Sequence, residues 1–134
     1  MARWLLKTEP GDYSYDDLER DGSTCWDGIK NAGALIHLRK IKPGDELFVY
    51  HTGKERRIVG IARATSAAYA DPALDDERWA VVDIEPSKRL AHPVALAAIK
   101  EDDAFAEFDL VRIGRLSAMP VPAKFWNRLL KMGA

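Results

Sequence analysis

Cysteine is almost missing from this chain: Cys25 stands alone. One thiol cannot close an intrachain disulfide, and it gives no basis for a thiolate metal site. That usage fits a reducing, cytoplasmic setting. Long apolar runs are missing too, since nothing approaches the roughly 20 residues of a membrane helix. Glu9 and Asp12 interrupt the N-terminal segment before the apolar stretch of a signal peptide can develop. An excess of either charge is also absent. Lys and Arg total 20 against 21 for Asp and Glu, a formal net charge of -1. A protein held to nucleic acid mainly by counterion release carries a strong basic excess. If nucleic acid is the partner, recognition must therefore lean on a pocket rather than on a broad basic face. The sequence has no glycine-rich phosphate loop and no HExxH, GxSxG or CxxC pattern. The histidines at 37, 51 and 92 lack metal-ligand spacing, so neither a cofactor nor a metal is indicated.

What is present is ordinary globular material: 134 residues, 47% hydrophobic and 31% charged. That is enough for one domain, residues 1–134, with a core of its own and a monomeric state expected. No internal repeat, low-complexity tract or linker divides it. Trp4-Leu5-Leu6 reads as a first strand, ended by the polar run Lys7-Thr8-Glu9 and stopped by Pro10-Gly11. Ser14 caps a short helix with acid in its first turn, and Gly22 closes it. Asn31 opens a second helix, in which Ala34, Leu35, Leu38 and Ile41 recur at helical spacing. Pro43 and Gly44 occupy the central positions of a type II turn.

The period then changes. The run ELFVYHT, residues 46–52, is apolar on both faces, which predicts a strand covered on both sides, as in a small barrel. TGKERR is a polar hairpin loop, and residues 58–65 are the return strand. Gly60, Ala62 and Ala64 share one of its faces, leaving room for a bulky neighbour. Residues 79–85 read as a further strand, and Pro93 as the start of a short helix. Residues 105–110 read as a packed loop and GRLSAMPV as an extended segment. Pro122 opens a last helix with Phe125, Trp126, Leu129 and Leu130 on one stripe and Gly133 past its end. This order predicts an α+β fold: a small, partly open barrel of mixed or antiparallel strands, with helices packed over its ends.

Few residues have chemistry to offer. Trp26, in the glycine-containing polar stretch CWDGIKN, is either a core anchor or a plate on which a flat ligand stacks. Asn31 is a helix N-cap, an amide for pairing with a base edge, or both. His51 is either a satisfied structural histidine or a base in the barrel mouth; nothing in the spacing supports a Cys25–His51 dyad. Arg115 and Ser117 lie in an extended segment, the arginine either solvated or suited to phosphate. The GKERR tip is a polar loop that could also touch a nucleic-acid backbone. KTEP is either the rim of a cavity or plain surface.

Read together, WLLKTEPGDYSYDDL, WDGIKNAGALIHLRKIKPGDELFVYHT and RLSAMPV resemble the EVE domain family, from residue 4 to the last helix. Any one of these motifs alone is weak, but their combination is specific. The resemblance implies a PUA-like fold, related to the YTH, ASCH and PUA domains. It also implies a nucleic-acid-associated module that reads a modified base in RNA or DNA, with no enzymatic hallmark. By position, Lys7 and Thr8 match the polar end of the family's first strand. Trp26 and Asn31 match its pocket-facing pair, the Trp also sitting where YTH domains keep one cage aromatic. His51 and Thr52 match its His and small hydroxyl pair, and Arg115, Leu116 and Ser117 its RLS. Ile29-Lys30 stands where Val-Arg is commoner and Thr52 where Ser is common; both keep the chemistry. No second cage aromatic is identifiable.

The expectation is that these residues converge on one pocket, where a flipped base stacks on Trp26. Stacking is worth about 1–3 kcal/mol per base, while unstacking costs a few kcal/mol. Hydrogen bonds and phosphate contacts must then supply the net affinity. On this view Trp26→Ala removes base selectivity and leaves the fold intact. The competing reading is a small enzyme or sensor for a nucleotide-like ligand, with His51 as base beside Glu9 or Asp27.

Overall fold

The computed structural model describes residues 2–74 and 76–134. Among these residues seven strands form a mixed sheet that curls into a half-barrel. They are β1 (Arg3–Thr8), β2 (Thr24–Trp26), β3 (Glu46–His51), β4 (Arg57–Ala64), β5 (Tyr69–Ala70), β6 (Ala80–Ala95) and β7 (Ala118–Pro120). Their order across the sheet is β2-β6-β4-β3-β1-β7, with β5 on β6. The helices are α1 (Tyr15–Asp21), α2 (Ala32–Leu38), α3 (Leu96–Glu101), α4 (Asp109–Arg112) and α5 (Ala123–Met132).

The strand pair that matters most for the site is β1 with β3. They run parallel, Trp4 opposite Leu47 through to Thr8 opposite His51, so KTEP and YHT end at one level. Tight fastenings hold this register. Lys42 to Asp45 forms the expected turn, closed by the Asp45 N–H donating to the Lys42 carbonyl at 3.1 Å. The buried Asp45 carboxylate then accepts from Trp4 Nε1 at 2.9 Å and from the Lys42 N–H at 3.0 Å. A buried carboxylate with such partners is satisfied and locks the turn to β1.

β3 is buried from Leu47 to His51, as its two apolar faces demanded. Phe48 stacks on Trp126 of α5 at 3.9 Å between ring centroids. The room predicted beside Gly60 is taken by Tyr15: a Cβ at Gly60 would lie 2.5 Å from that ring. The Tyr15 hydroxyl donates to the Ile61 carbonyl at 2.7 Å. α1 carries the full capping box, with Ser14 Oγ accepting from the Asp17 N–H and Asp17 accepting from the Ser14 N–H.

Three expectations need correction. The strand placed at 79–85 runs on as β6 to Ala95, so Pro93 lies inside a strand and the helix starts only at Leu96. The ladder explains why proline is tolerated there. Gly60 pairs with Arg89 and Ile58 with Val94, so residues 90–93 bulge out opposite Val59 alone. The packed loop at 105–110 is bounded by helical turns: a 3-10 turn, Asp103–Phe105, ends where it begins, and α4 starts at Asp109. In GRLSAMPV only Ala118–Pro120 is strand, so Gly114 and Arg115 belong to a turn.

Candidate functional site

The sheet does not close on itself. Its two edges, β2 and β7, leave a seam, and there lies a cleft of about 530 Å³. That volume is in the usual range for ligand sites, about 300–1,000 Å³. Lys7 and Thr8 at the end of β1, Tyr13 before α1, Trp26 of β2 and Ser117 before β7 all face it. KTEP thus forms part of a cavity wall, through Lys7, Thr8 and Glu9.

Each side chain has a local cause for its place. Thr8 Oγ1 donates to the Tyr13 carbonyl at 2.7 Å, tying the strand end to the segment that leads into α1. Lys7 donates its backbone N–H to the Ser117 carbonyl at 2.9 Å and its ammonium to the Gly114 carbonyl at 3.0 Å. Burial holds the Lys7 ammonium below its ordinary pKa. Glu9 folds back over the YHT end, where Thr52 Oγ1 lies 3.3 Å from its Oε2. Gly53 has φ +72, a conformation that favours glycine, and a Cβ there would sit 2.6 Å from that same oxygen, so the Glu9 carboxylate would have to move aside.

Trp26 stands otherwise than expected. It is the last residue of β2, paired with Val82, and only 6% exposed. Most of the ring packs in the core, and Tyr13 meets it edge-on at 6.2 Å and 88°. The indole is therefore both anchor and wall: it is not an open plate, yet the cleft runs beside it. Tyr13 is the aromatic that sequence reasoning missed. Half-buried, it donates its hydroxyl to Asp21 at 2.9 Å. Its position just before the Ser14 N-cap was the available signal, because an aromatic there is fixed by the helix entry.

Other candidates lie elsewhere. The Asn31 side chain accepts from the Ala34 N–H at 3.0 Å, so its oxygen is spent on capping α2. Leu116 is buried against the start of α2, close to Gly33. Arg115 is exposed, does not line the cleft, and has no ion pair among the described residues. Thr52 faces a second hollow on the other side of Lys7. His51 is buried, with both ring nitrogens engaged. Nε2 accepts from the Tyr15 N–H at 3.0 Å, and Nδ1 lies 2.9 Å from Glu55 Oε1. The first bond requires a bare Nε2, so the proton sits on Nδ1 and is donated to Glu55. A histidine so placed is a strut, with no nitrogen left to act as a base. Cys25 faces the cleft, but burial pushes its thiol up and away from the reactive thiolate. Among the described residues no three His, Cys, Asp or Glu side chains gather as a metal-ligand set, and no helix is long and apolar enough to cross a membrane.

The cleft's charge is lopsided. Glu9, Asp12 and Asp27 line it together with the single ammonium of Lys7. None of these carboxylates has an ion pair among the described residues. Such a lining accepts hydrogen bonds from N–H donors and repels phosphate.

Comparison with known proteins adds the following. The model of the EVE domain matches residues 2–132. Human thymocyte nuclear protein 1 is 30% identical over 125 residues, 74% of this chain, and the chain spans 56% of that relative's length. A solved protein from Rhodopseudomonas palustris superposes with a TM-score of 0.93 at 38% identity, covering 99% of this chain and 93% of its own. The human protein THYN1, solved in complex with DNA containing 5-methylcytosine, superposes with a TM-score of 0.90 at 27% identity, covering 99% of this chain and 98% of that one. An ASCH protein from Zymomonas mobilis shares the fold alone, with a TM-score of 0.65 at 10% identity over 99% of this chain and 96% of that one.

Proposed function

The chain belongs to the EVE domain family, and from that premise we propose that it is a nucleic-acid-binding module whose seam cleft reads a modified base. The observation that carries this is the cleft itself: polar strand ends, one aromatic wall and a half-buried tyrosine around one opening in a curled sheet. The relative bound to DNA containing 5-methylcytosine makes a methylated cytosine the first base to test. Cytosine offers an exocyclic amine, which suits carboxylates lining the opening. A base in a duplex must leave its stack to reach such a cleft, so single-stranded or opened nucleic acid is the favoured form. Lys7, Thr8, Tyr13, Trp26 and Ser117 make the inner contacts, and Arg115 stands outside for a phosphate. Asn31, His51 and Leu116 act indirectly, by holding α2, α1 and the core behind the opening.

The test is equilibrium binding of single-stranded oligonucleotides that differ only in one central base, cytosine or 5-methylcytosine. A methyl group in an apolar slot is worth about 1–3 kcal/mol. The methylated strand should therefore bind tighter by about tenfold to 200-fold, and Trp26→Phe should narrow that gap. Equal affinity for both strands, and for strands carrying other modified bases, would overturn the reading.

A further inference from the structure

Beyond the cleft, a second depression runs between the β3–β4 hairpin tip, residues 52–56, and the helices α3 and α4. It consists of two hollows of about 210 and 380 Å³ that share Arg56, Leu96 and Lys100. Lys7 lines the nearer hollow and the seam cleft alike, so the depression is continuous with the candidate base site. We propose that this groove holds the phosphodiester backbone of the strand whose base enters the cleft; the inference rests on that reading of the cleft.

Charge pairing is the first support. Most arginines are matched to carboxylates, among them Arg20 to Asp17, Arg63 to Glu85, Arg78 to Asp76, Arg89 to Asp16 and Glu19, and Arg128 to Asp102, whereas among the described residues Arg39, Arg56, Arg115 and the lysines have no ion pair. What sets the groove apart is the gathering of unpaired cations along one depression, Lys7, Lys54, Arg56 and Lys100 together. Lys54, Arg56 and Lys100 are exposed, and among the described residues they have no ion pair. Among the described residues Glu55 is the one carboxylate lining the groove, and it is already held by His51 Nδ1 and by Arg57 Nε at 3.1 Å. Unneutralised cations of this kind bring their full charge to a polyanion.

Backbone geometry is the second, independent support. Arg56 has φ +45, alone among the described non-glycine residues in the left-handed region. A bulky residue there is costly and persists only where surroundings enforce it. The enforcement is visible: the Arg56 carbonyl accepts from the Leu96 N–H at 2.9 Å, and Arg57 pairs with Ala95. Glycine or asparagine would relieve the backbone at this position, yet arginine occupies it. Its side chain thereby springs from a fixed backbone at the rim of both hollows, and a guanidinium suits bidentate contact with phosphate.

The experiment uses fluorescence anisotropy of a labelled single-stranded 12-mer with central cytosine or 5-methylcytosine, titrated at several salt concentrations. The double variant Arg56→Asn with Lys100→Gln removes two charges, and asparagine suits the backbone at 56. Arg63→Gln, which loses a paired arginine on an exposed face, is the control. For every phosphate the variant no longer neutralises, the slope of log K against log salt should fall by about 0.7. The double variant should therefore bind both strands more weakly by an equal factor, with a shallower slope, while Arg63→Gln matches wild type. If wild type prefers the methylated strand and the double variant keeps the wild-type slope, the groove is refuted and the cleft stands. If wild type has no base preference but its slope falls in the double variant, the cleft fails and the groove survives as a polyanion site. If neither strand binds wild type, both ideas are overturned. A thermal melt of each variant shows whether it is folded, and a double variant that unfolds is replaced by Lys54→Gln with Lys100→Gln, read against the same outcomes.

Discussion

The seam cleft and the hairpin groove meet at Lys7, yet they are made of opposite materials. The cleft is carved out of the core: Trp26 belongs to the buried cluster, Tyr13 packs on it, and Thr8 ends a buried strand. The groove is laid on the surface, from long charged side chains over the exposed tip of a hairpin. Their charges also differ. The cleft has three carboxylates to one ammonium, whereas the groove has Lys7, Lys54, Arg56 and Lys100 to one occupied carboxylate. A nucleic-acid strand is divided in the same way, with charge on its backbone and information on its bases. A chain with a formal charge of -1 can thus serve a polyanion without a basic excess, by gathering Lys54, Arg56 and Lys100 beside Lys7 on one track.

If that division is right, variants in the cleft cost stability and variants in the groove do not. The sharpest break is Trp26→Ala. With 6% of the residue exposed, truncation removes packed core and costs about 3–5 kcal/mol. Domains of this size are stable by only about 5–15 kcal/mol. The expectation that this variant spares the fold is therefore reversed. A urea titration should show its midpoint falling steeply, while Arg56→Asn with Lys100→Gln stays near wild type. An unchanged midpoint in Trp26→Ala would mean that the indole is not part of the core, and the contrast would collapse.

A middle-sized effect should come from the residue that joins the two regions. His51 holds the Tyr15 N–H on the cleft side and Glu55 on the groove side. His51→Ala strands a buried N–H donor, a loss of about 1–3 kcal/mol. Because α1 and the hairpin are both released, base preference and salt slope should decline together. Loss of one with the other intact would show that the strut serves only one region. A catalytic histidine would behave differently, changing turnover while sparing stability and binding.

The sequence disclosed the fold more fully than the site, for physical reasons. Period and punctuation located β1, α1, the Lys42–Asp45 turn, β3 and α5, where each signal is local. The cleft walls are also partly legible, since polar residues ending apolar strands have few structural reasons to be there. What failed was non-local. Trp26 sits in a three-residue edge strand among polar neighbours, too short for alternation to register, so its burial depends on β6 and on Tyr13. Pro93 signals a helix start in any window, and only the bulge opposite Val59 makes it acceptable in β6. The groove was least visible of all. GKERR showed charge, but which charges are already paired depends on His51 and on the strand register.

The smallest effect isolates that last point. Glu55 carries the groove's negative charge, and its hydrogen bond from His51, then the charge of Arg57, holds its carboxyl below the ordinary value. The folded state binds that proton less readily than the unfolded chain. The stability this contributes is therefore present above the ordinary carboxylate range, near pH 4.3, and is lost as pH falls through the depressed folded value. Glu55→Gln keeps an acceptor for His51 Nδ1–H and removes the charge. Its stability should decline less on acidification from pH 5 to pH 3, by an amount trimmed by solvent because the side chain is 34% exposed. At neutral pH the same variant unmasks its cationic neighbours, so both the methylated and unmethylated strands should bind tighter, by up to about fivefold, with the preference between them unchanged. An altered preference would place Glu55 in contact with the base and move the boundary between the two regions.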